Sequence, residues 1–219
     1  MTRDEFCATF WRYYLMLESD YKETELFVEP NLGENCSYST SSGNIHDFGN
    51  SRTYSLNFVK LLNVICAEVD AISRSICKEL LGKHVDNMKG FAKEILKIWP
   101  DIVQQEVEYY YKILKPFEGW KATDKKSTPK WWSAYTSCKH GREENFQEAN
   151  LKNVVNALAG LYILELYYVR EIGTRRNERD VPNDKSAVFQ LKEFGTKHKV
   201  LGYEIYCATN EDIDALFLK

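Results

Sequence analysis

The stretch SLNFVKLLNVICAEVDAISRSICKELLG, residues 55–82, decides the fold class. Within it Phe58, Leu61, Leu62, Ile65, Val69, Ile72, Ile76 and Leu80 recur at steps of three and four. That spacing lines one face of a helix with apolar groups. The pattern predicts a continuous helix from about residue 55 to 81, and Gly82 supplies the stop.

A second stripe of the same kind lies downstream. Leu151, Val154, Val155, Leu158, Leu161, Tyr162, Leu166 and Val169 predict a long helix over about 144–172, with Glu165 as the one acidic exception. Thr2 and Glu5 form a capping-box pattern. Phe6, Phe10, Tyr13, Tyr14 and Leu17 continue it as a first helix ending near Tyr21. A shorter helix is expected over about 86–99, before Pro100. Residues 102–114 fit a helix by spacing, but the run Tyr109-Tyr110-Tyr111 favours a strand.

Between these elements the composition changes. Residues 29–53 carry turn chemistry with few apolar anchors and are read as a long polar loop. Residues 121–130 read as a polar linker, and 173–187 as a charged loop. Residues 188–191 and 200–207 are rich in strand formers, with Gly195-Thr196-Lys197 as the turn between them. The expected fold is mainly α. Residues 1–186 form a helical bundle domain, and 187–219 are a small β-hairpin-like extension of it.

Bulk properties narrow the function classes. With 219 residues and 44% hydrophobic content the chain can bury a real core. The net charge of −3 supplies no overall field for nucleic acid, so such binding needs a local basic patch. The longest apolar run, 157–169, is broken by Glu165 and is shorter than the ~20 residues a membrane span requires. No secretion signal is read at the start. The six cysteines include no Cys-x-x-Cys pair. A cytoplasmic location with reduced thiols is expected. No histidine or cysteine spacing suggests a metal site, and no cofactor loop is read.

The most distinctive segment is Trp131-Trp132-Ser133-Ala134-Tyr135-Thr136-Ser137-Cys138-Lys139-His140-Gly141-Arg142. It reads as a short helix breaking near Gly141, and Asn145, Asn150 and Asn153 follow. With the run Ala157-Leu158-Ala159-Gly160-Leu161 behind it, this segment resembles the HEPN superfamily over roughly residues 55–172. The resemblance implies an antiparallel helical bundle that pairs into a homodimer. It also implies an RNA-directed protein, in active members a metal-independent ribonuclease of toxin or antiphage systems. Those members carry an Arg four to six residues before the His. Here Ala134, Tyr135 and Thr136 hold those positions, and the nearby guanidinium is Arg142 instead.

On that reading His140 is the acid/base, because its ordinary pKa of about 6.5 suits proton transfer at neutrality. Arg142 and Lys139 hold phosphate. Glu68 or Asp70 orients the histidine, and Asn145 and Asn150 border the groove. A plainer reading of the same residues is structural. Trp131, Trp132 and Tyr135 are then core aromatics, and Lys139, His140 and Arg142 are cations at a helix C-terminus. The corresponding functional alternative is a non-catalytic dimeric module that binds a partner protein or a nucleotide. His46, His84 and His198 are read as solvated, helix-end and turn residues respectively.

Overall fold

The computed structural model describes residues 1–33, 36–40, 43–47, 49–123, 128–192, 196–200 and 203–207. For the strands within 36–47 and 196–207 it describes the backbone alone. The molecule is mainly helical with a small antiparallel sheet. Helices α1 (Arg3–Phe6) and α2 (Arg12–Thr24) form one N-terminal rod, joined by a π turn over Cys7–Trp11. The Thr2–Glu5 capping box is made in both directions. The wider π turn adjusts the register. It lets Phe6 and Phe10 meet Tyr168 while Trp11 and Tyr14 meet Tyr162.

The predicted central helix is α3 (Leu56–Leu81). Ser55 caps its start, and Gly82 ends it at φ 62°, a left-handed conformation that glycine adopts without steric cost. Helix α4 (Met88–Ile98) folds back on α3 after an Asn87 cap. Helix α5 (Lys130–His140) ends at Gly141 as expected. The second long helix is α7 (Leu151–Arg176).

Helix α7 starts later than its apolar pattern suggests. A short α6 (Arg142–Asn145) and a 3-10 turn, Phe146–Glu148, come first. Ala149 leaves the helical region, with ψ at 60°. The Asn150 side chain then caps the helix by accepting from the Asn153 N–H. Residues 51–54 complete the boundary. Leu151 N–H donates to Thr53 O and Lys152 N–H to Ser51 O. The first three amides of α7 are therefore satisfied without solvent.

These same bonds set the direction of the two long helices. The starts of α3 and α7 are stitched together at 51–54, and at the far end Arg175 donates to Leu80 O at 3.1 Å. So α3 and α7 lie parallel within the bundle. The antiparallel neighbour is the N-terminal rod. Met1 pairs with Glu79 near one end of α3 and Lys60 with Asp20 near the other. Helix α5 reaches α7 at Gly160, where an added Cβ would sit 2.9 Å from the Trp131 ring. The glycine is thus required by packing.

Several loop assignments change. The expected loop at 29–53 contains an antiparallel hairpin, β1 (Cys36–Thr40) with β2 (Gly43–Asp47). Residues 102–114 resolve in favour of strand. A 3-10 turn, Pro100–Val103, leads to β3 (Val107–Tyr109) and β4 (Lys112–Leu114). The turn between them places Tyr110 at φ 50°, unusual for a side chain with a Cβ. Its hydroxyl is held by Glu25 at 2.7 Å. Strand β5 (Phe189–Leu191) pairs with β3, so the C-terminal segment enters the same sheet. The turn expected at 195–197 is displaced: Thr196, Lys197 and His198 belong to β6 (Thr196–Val200), paired with β7 (Tyr203–Cys207). The rest of the expected extension, 208–219, lies outside the described residues.

The core runs along the α3–α7 seam. Leu61, Ile65, Val69 and Ile72 are fully buried, as are Leu158, Leu161 and Val169. Among the described residues no helix is long and apolar enough to cross a membrane.

Candidate functional site

The segment at 139–142 is exposed throughout at its charged positions. Lys139, His140 and Arg142 all face solvent, with Gly141 ending the helix between them. Lys139 folds back on Tyr135, 3.2 Å from its hydroxyl and 5.4 Å above its ring. Trp131 is buried, while Trp132 and Tyr135 are half-buried against the core. Asn145 ties the break together. Its side-chain amide donates to Gly141 O at 2.8 Å, and its own carbonyl accepts from the Cys138 thiol. Asn150 is the α7 cap.

The two acids expected to orient the histidine make no contact with it among the described residues. Asp70 is held by Arg74 at 2.6 Å on its own helix. Glu68 is half-buried on α3 and lies near Glu165 of α7. Burial raises the Glu68 pKa. Burial, and then the neighbouring Glu68, raise that of Glu165 well above the usual carboxylate range. Glu165 is fully buried and neither of its oxygens has a hydrogen-bond partner among the described residues. Its carboxyl is therefore held neutral by the apolar seam.

A concave surface opens beside the 139–142 segment, where the parallel helices begin. Two adjoining cavities share Glu148, Lys152 and Asn153 in their walls. The first, about 1010 Å³, is walled by Ser51, Arg52 and Tyr54 from the segment before α3 and by Gln147 and Asn150 from the α7 entry. The second, about 820 Å³, is walled by Ile113, Leu114, Pro116 and Trp131, with Asn156 on α7 and Lys115 and Lys130 at its edge.

The cleft is cationic in a chain of net negative charge. Arg52, Lys115, Lys130 and Lys152 face two acids, Glu118 and Glu148. Lys115 is committed to Glu106 at 3.1 Å. The side chains of Arg52, Lys130 and Lys152 have no ion-pair or hydrogen-bond partner among the described residues. Tyr54 stands 51% exposed, its ring edge-on to Phe146. The parallel packing also brings the positive dipole ends of α3 and α7 to this same end. Since the first amides of α7 are already bonded, side chains must do the gripping here.

His140 and Arg142 do not line either cavity. They flank the cleft through α6 and the turn at 146–148. Of the residues given a site role from sequence, Asn150 is in its wall, and Asn153 and Trp131 of the same segment line it too. Arg52, Tyr54, Lys130, Lys152 and Asn156 were not anticipated. One signal was readable: Asn150, Asn153 and Asn156 form a polar row at steps of three, on the side of α7 away from its apolar stripe. Among the described residues no group of three or more His, Cys, Asp or Glu could hold a metal. Comparison of the chain with protein-family models, curated proteins and solved structures finds no match.

Proposed function

We propose that this protein is an RNA-directed binding protein of HEPN-like character, and that the cleft at the start of α3 and α7 holds single-stranded RNA. The observation that carries the reading is the set of uncommitted cations, Arg52, Lys130 and Lys152, around a large cleft that also presents an exposed tyrosine. Phosphates are held by such cations, and bases stack on such rings. The −3 net charge makes this a local patch, which favours a defined binding path over general attraction to polyanions.

The test is fluorescence anisotropy with a labelled single-stranded RNA. The wild-type protein binds, and log affinity falls with log salt with a slope of about −2, as about three phosphate contacts require. The R52A/K152A variant loses at least about tenfold in affinity. Equal binding by wild type and variant would refute the reading.

Ribonuclease activity is a second reading, favoured by the solvent exposure of Lys139, His140 and Arg142. It requires a two-fold pairing that brings two such turns together around one phosphate. Cleavage that disappears in His140→Ala, together with a dimer in light scattering, supports it. Cleavage unchanged in that variant removes it.

A further inference from the structure

The second cavity sets an apolar wall among charged and amide side chains, and it carries two hydrogen-bond acceptors of fixed orientation. Asn156 donates its side-chain N–H to Lys152 O at 2.8 Å. Asn153 donates its side-chain N–H to Glu148 O at 2.9 Å. A carbonyl can only accept, so each bond identifies the nitrogen branch of the amide. The oxygen is on the other branch, and neither Oδ1 has a partner among the described residues. Both residues line the second cavity, one turn apart on the same face of α7.

Opposite them stand Ile113, Leu114, Pro116 and Trp131. The Trp131 ring is held in place by its N–H on Pro116 O at 2.8 Å and by packing on Gly160. This cavity therefore offers a flat apolar wall for a ring and two oxygens that call for N–H donors, with lysines at its edge for a phosphate. An amino group fits. Its two N–H bonds diverge, each reaching an acceptor at about 2.9 Å. Residues three apart on a helix stand about 5–6 Å apart at Cβ, close enough to share one such group.

We propose that the second cavity is a base pocket selective for nucleobases with an exocyclic amine, Asn153 and Asn156 being the discriminating residues. This rests on the cleft being the RNA site. Adenine and cytosine present an amino group on the edge that single-stranded recognition reads, whereas uracil presents a carbonyl oxygen at that position. Two fixed amide oxygens attract the first and repel the second. The cations supply sequence-independent grip, and the asparagines supply the choice of base.

The experiment measures binding of oligo-A, oligo-C and oligo-U RNA of equal length, with AMP as a competitor. Oligo-A and oligo-C are expected to bind about tenfold or more tightly than oligo-U, the scale of a paired hydrogen-bond readout. N156A should reduce that ratio towards one, through weaker oligo-A and oligo-C binding and stronger oligo-U binding once a repelling oxygen is gone, while leaving the salt slope unchanged. R52A/K152A should weaken all three RNAs alike. N153A is a second variant for discrimination, with circular-dichroism melting of both variants to confirm folding. Equal affinity for the three RNAs, or an unchanged ratio in folded N156A and N153A, overturns the base pocket while leaving the cleft reading intact. Failure of all three RNAs to bind overturns both. Competition by AMP as effective as by oligo-A assigns the pocket to a free nucleotide and overturns the strand, whereas weak competition supports it.

Discussion

Two regions treat polar groups in opposite ways. Along the N-terminal rod, residues 181–187 form a strap that is sealed down. Glu18 is 3% exposed, and its carboxylate accepts from Tyr14 at 2.6 Å, from Ala187 N–H at 2.9 Å and from the Ser186 hydroxyl. Trp11 donates to Asp184 O, and Arg3 to Val181 O. At the start of α3 and α7, the cations Arg52, Lys130 and Lys152 and the amide oxygens of Asn153 and Asn156 have no partner among the described residues. The first region uses its polar atoms to fix the fold. The second leaves such groups open to solvent. Removing side chains from each should therefore damage different properties.

The largest effect on stability is expected at Glu18. Glu18→Ala removes an acceptor from the buried Tyr14 phenol, the part-buried Ser186 hydroxyl and the Ala187 N–H, and it leaves a void beside a fully buried ring, at roughly 1–3 kcal/mol for the buried group. A loss on the order of 2–3 kcal/mol in urea unfolding is expected. A loss below about 1 kcal/mol would mean that the strap does not depend on this carboxylate.

Glu165 sharpens the contrast from within the core, since it is as buried as Glu18 and lacks its partners. Its folded pKa is raised, so between the unfolded value and the folded one the native state retains a proton that the unfolded chain has released. Stability contributed at low pH is then lost as pH rises from about 4.5, by up to about 1.4 kcal/mol per pH unit, until the folded pKa is passed. Glu165→Gln should flatten this slope and be the more stable protein at neutral and alkaline pH. Parallel urea titrations of both proteins across that range check it. Identical slopes would contradict a neutral carboxyl in the seam.

Gly160→Ala should cost about 1–3 kcal/mol, because its Cβ meets the Trp131 ring and α5 must shift. Thermal melting measures this. The smallest stability change is expected in the cleft. R52A/K152A should stay within about 0.5 kcal/mol of wild type, since neither side chain bonds to the described protein.

Periodicity made the bundle legible. The stripe from Phe58 to Leu80 became α3 almost residue for residue, and Gly82 and Gly141 ended helices where expected. Local pattern does not encode the relative direction of helices. The parallel packing of α3 and α7 depends on Leu151 and Lys152 bonding to Ser51 and Thr53, about a hundred residues away. That contact also explains the late start of α7 and the place of the cleft. The Trp131-to-Arg142 segment drew attention because its residue types are chemically conspicuous. Arg52 lies in a stretch that reads as loop, and it reaches the cleft wall only because residues 51–54 bond to the α7 entry. Glu165 was visible as an exception in an apolar stripe, but the stripe alone does not show that its oxygens go unpartnered.

The most direct test compares RNA affinity and stability in one variant, R52A/K152A. Anisotropy should show at least about tenfold weaker binding and a shallower salt slope, while urea unfolding stays at wild-type stability. Unchanged RNA affinity in a stably folded variant would contradict the assignment of the cleft.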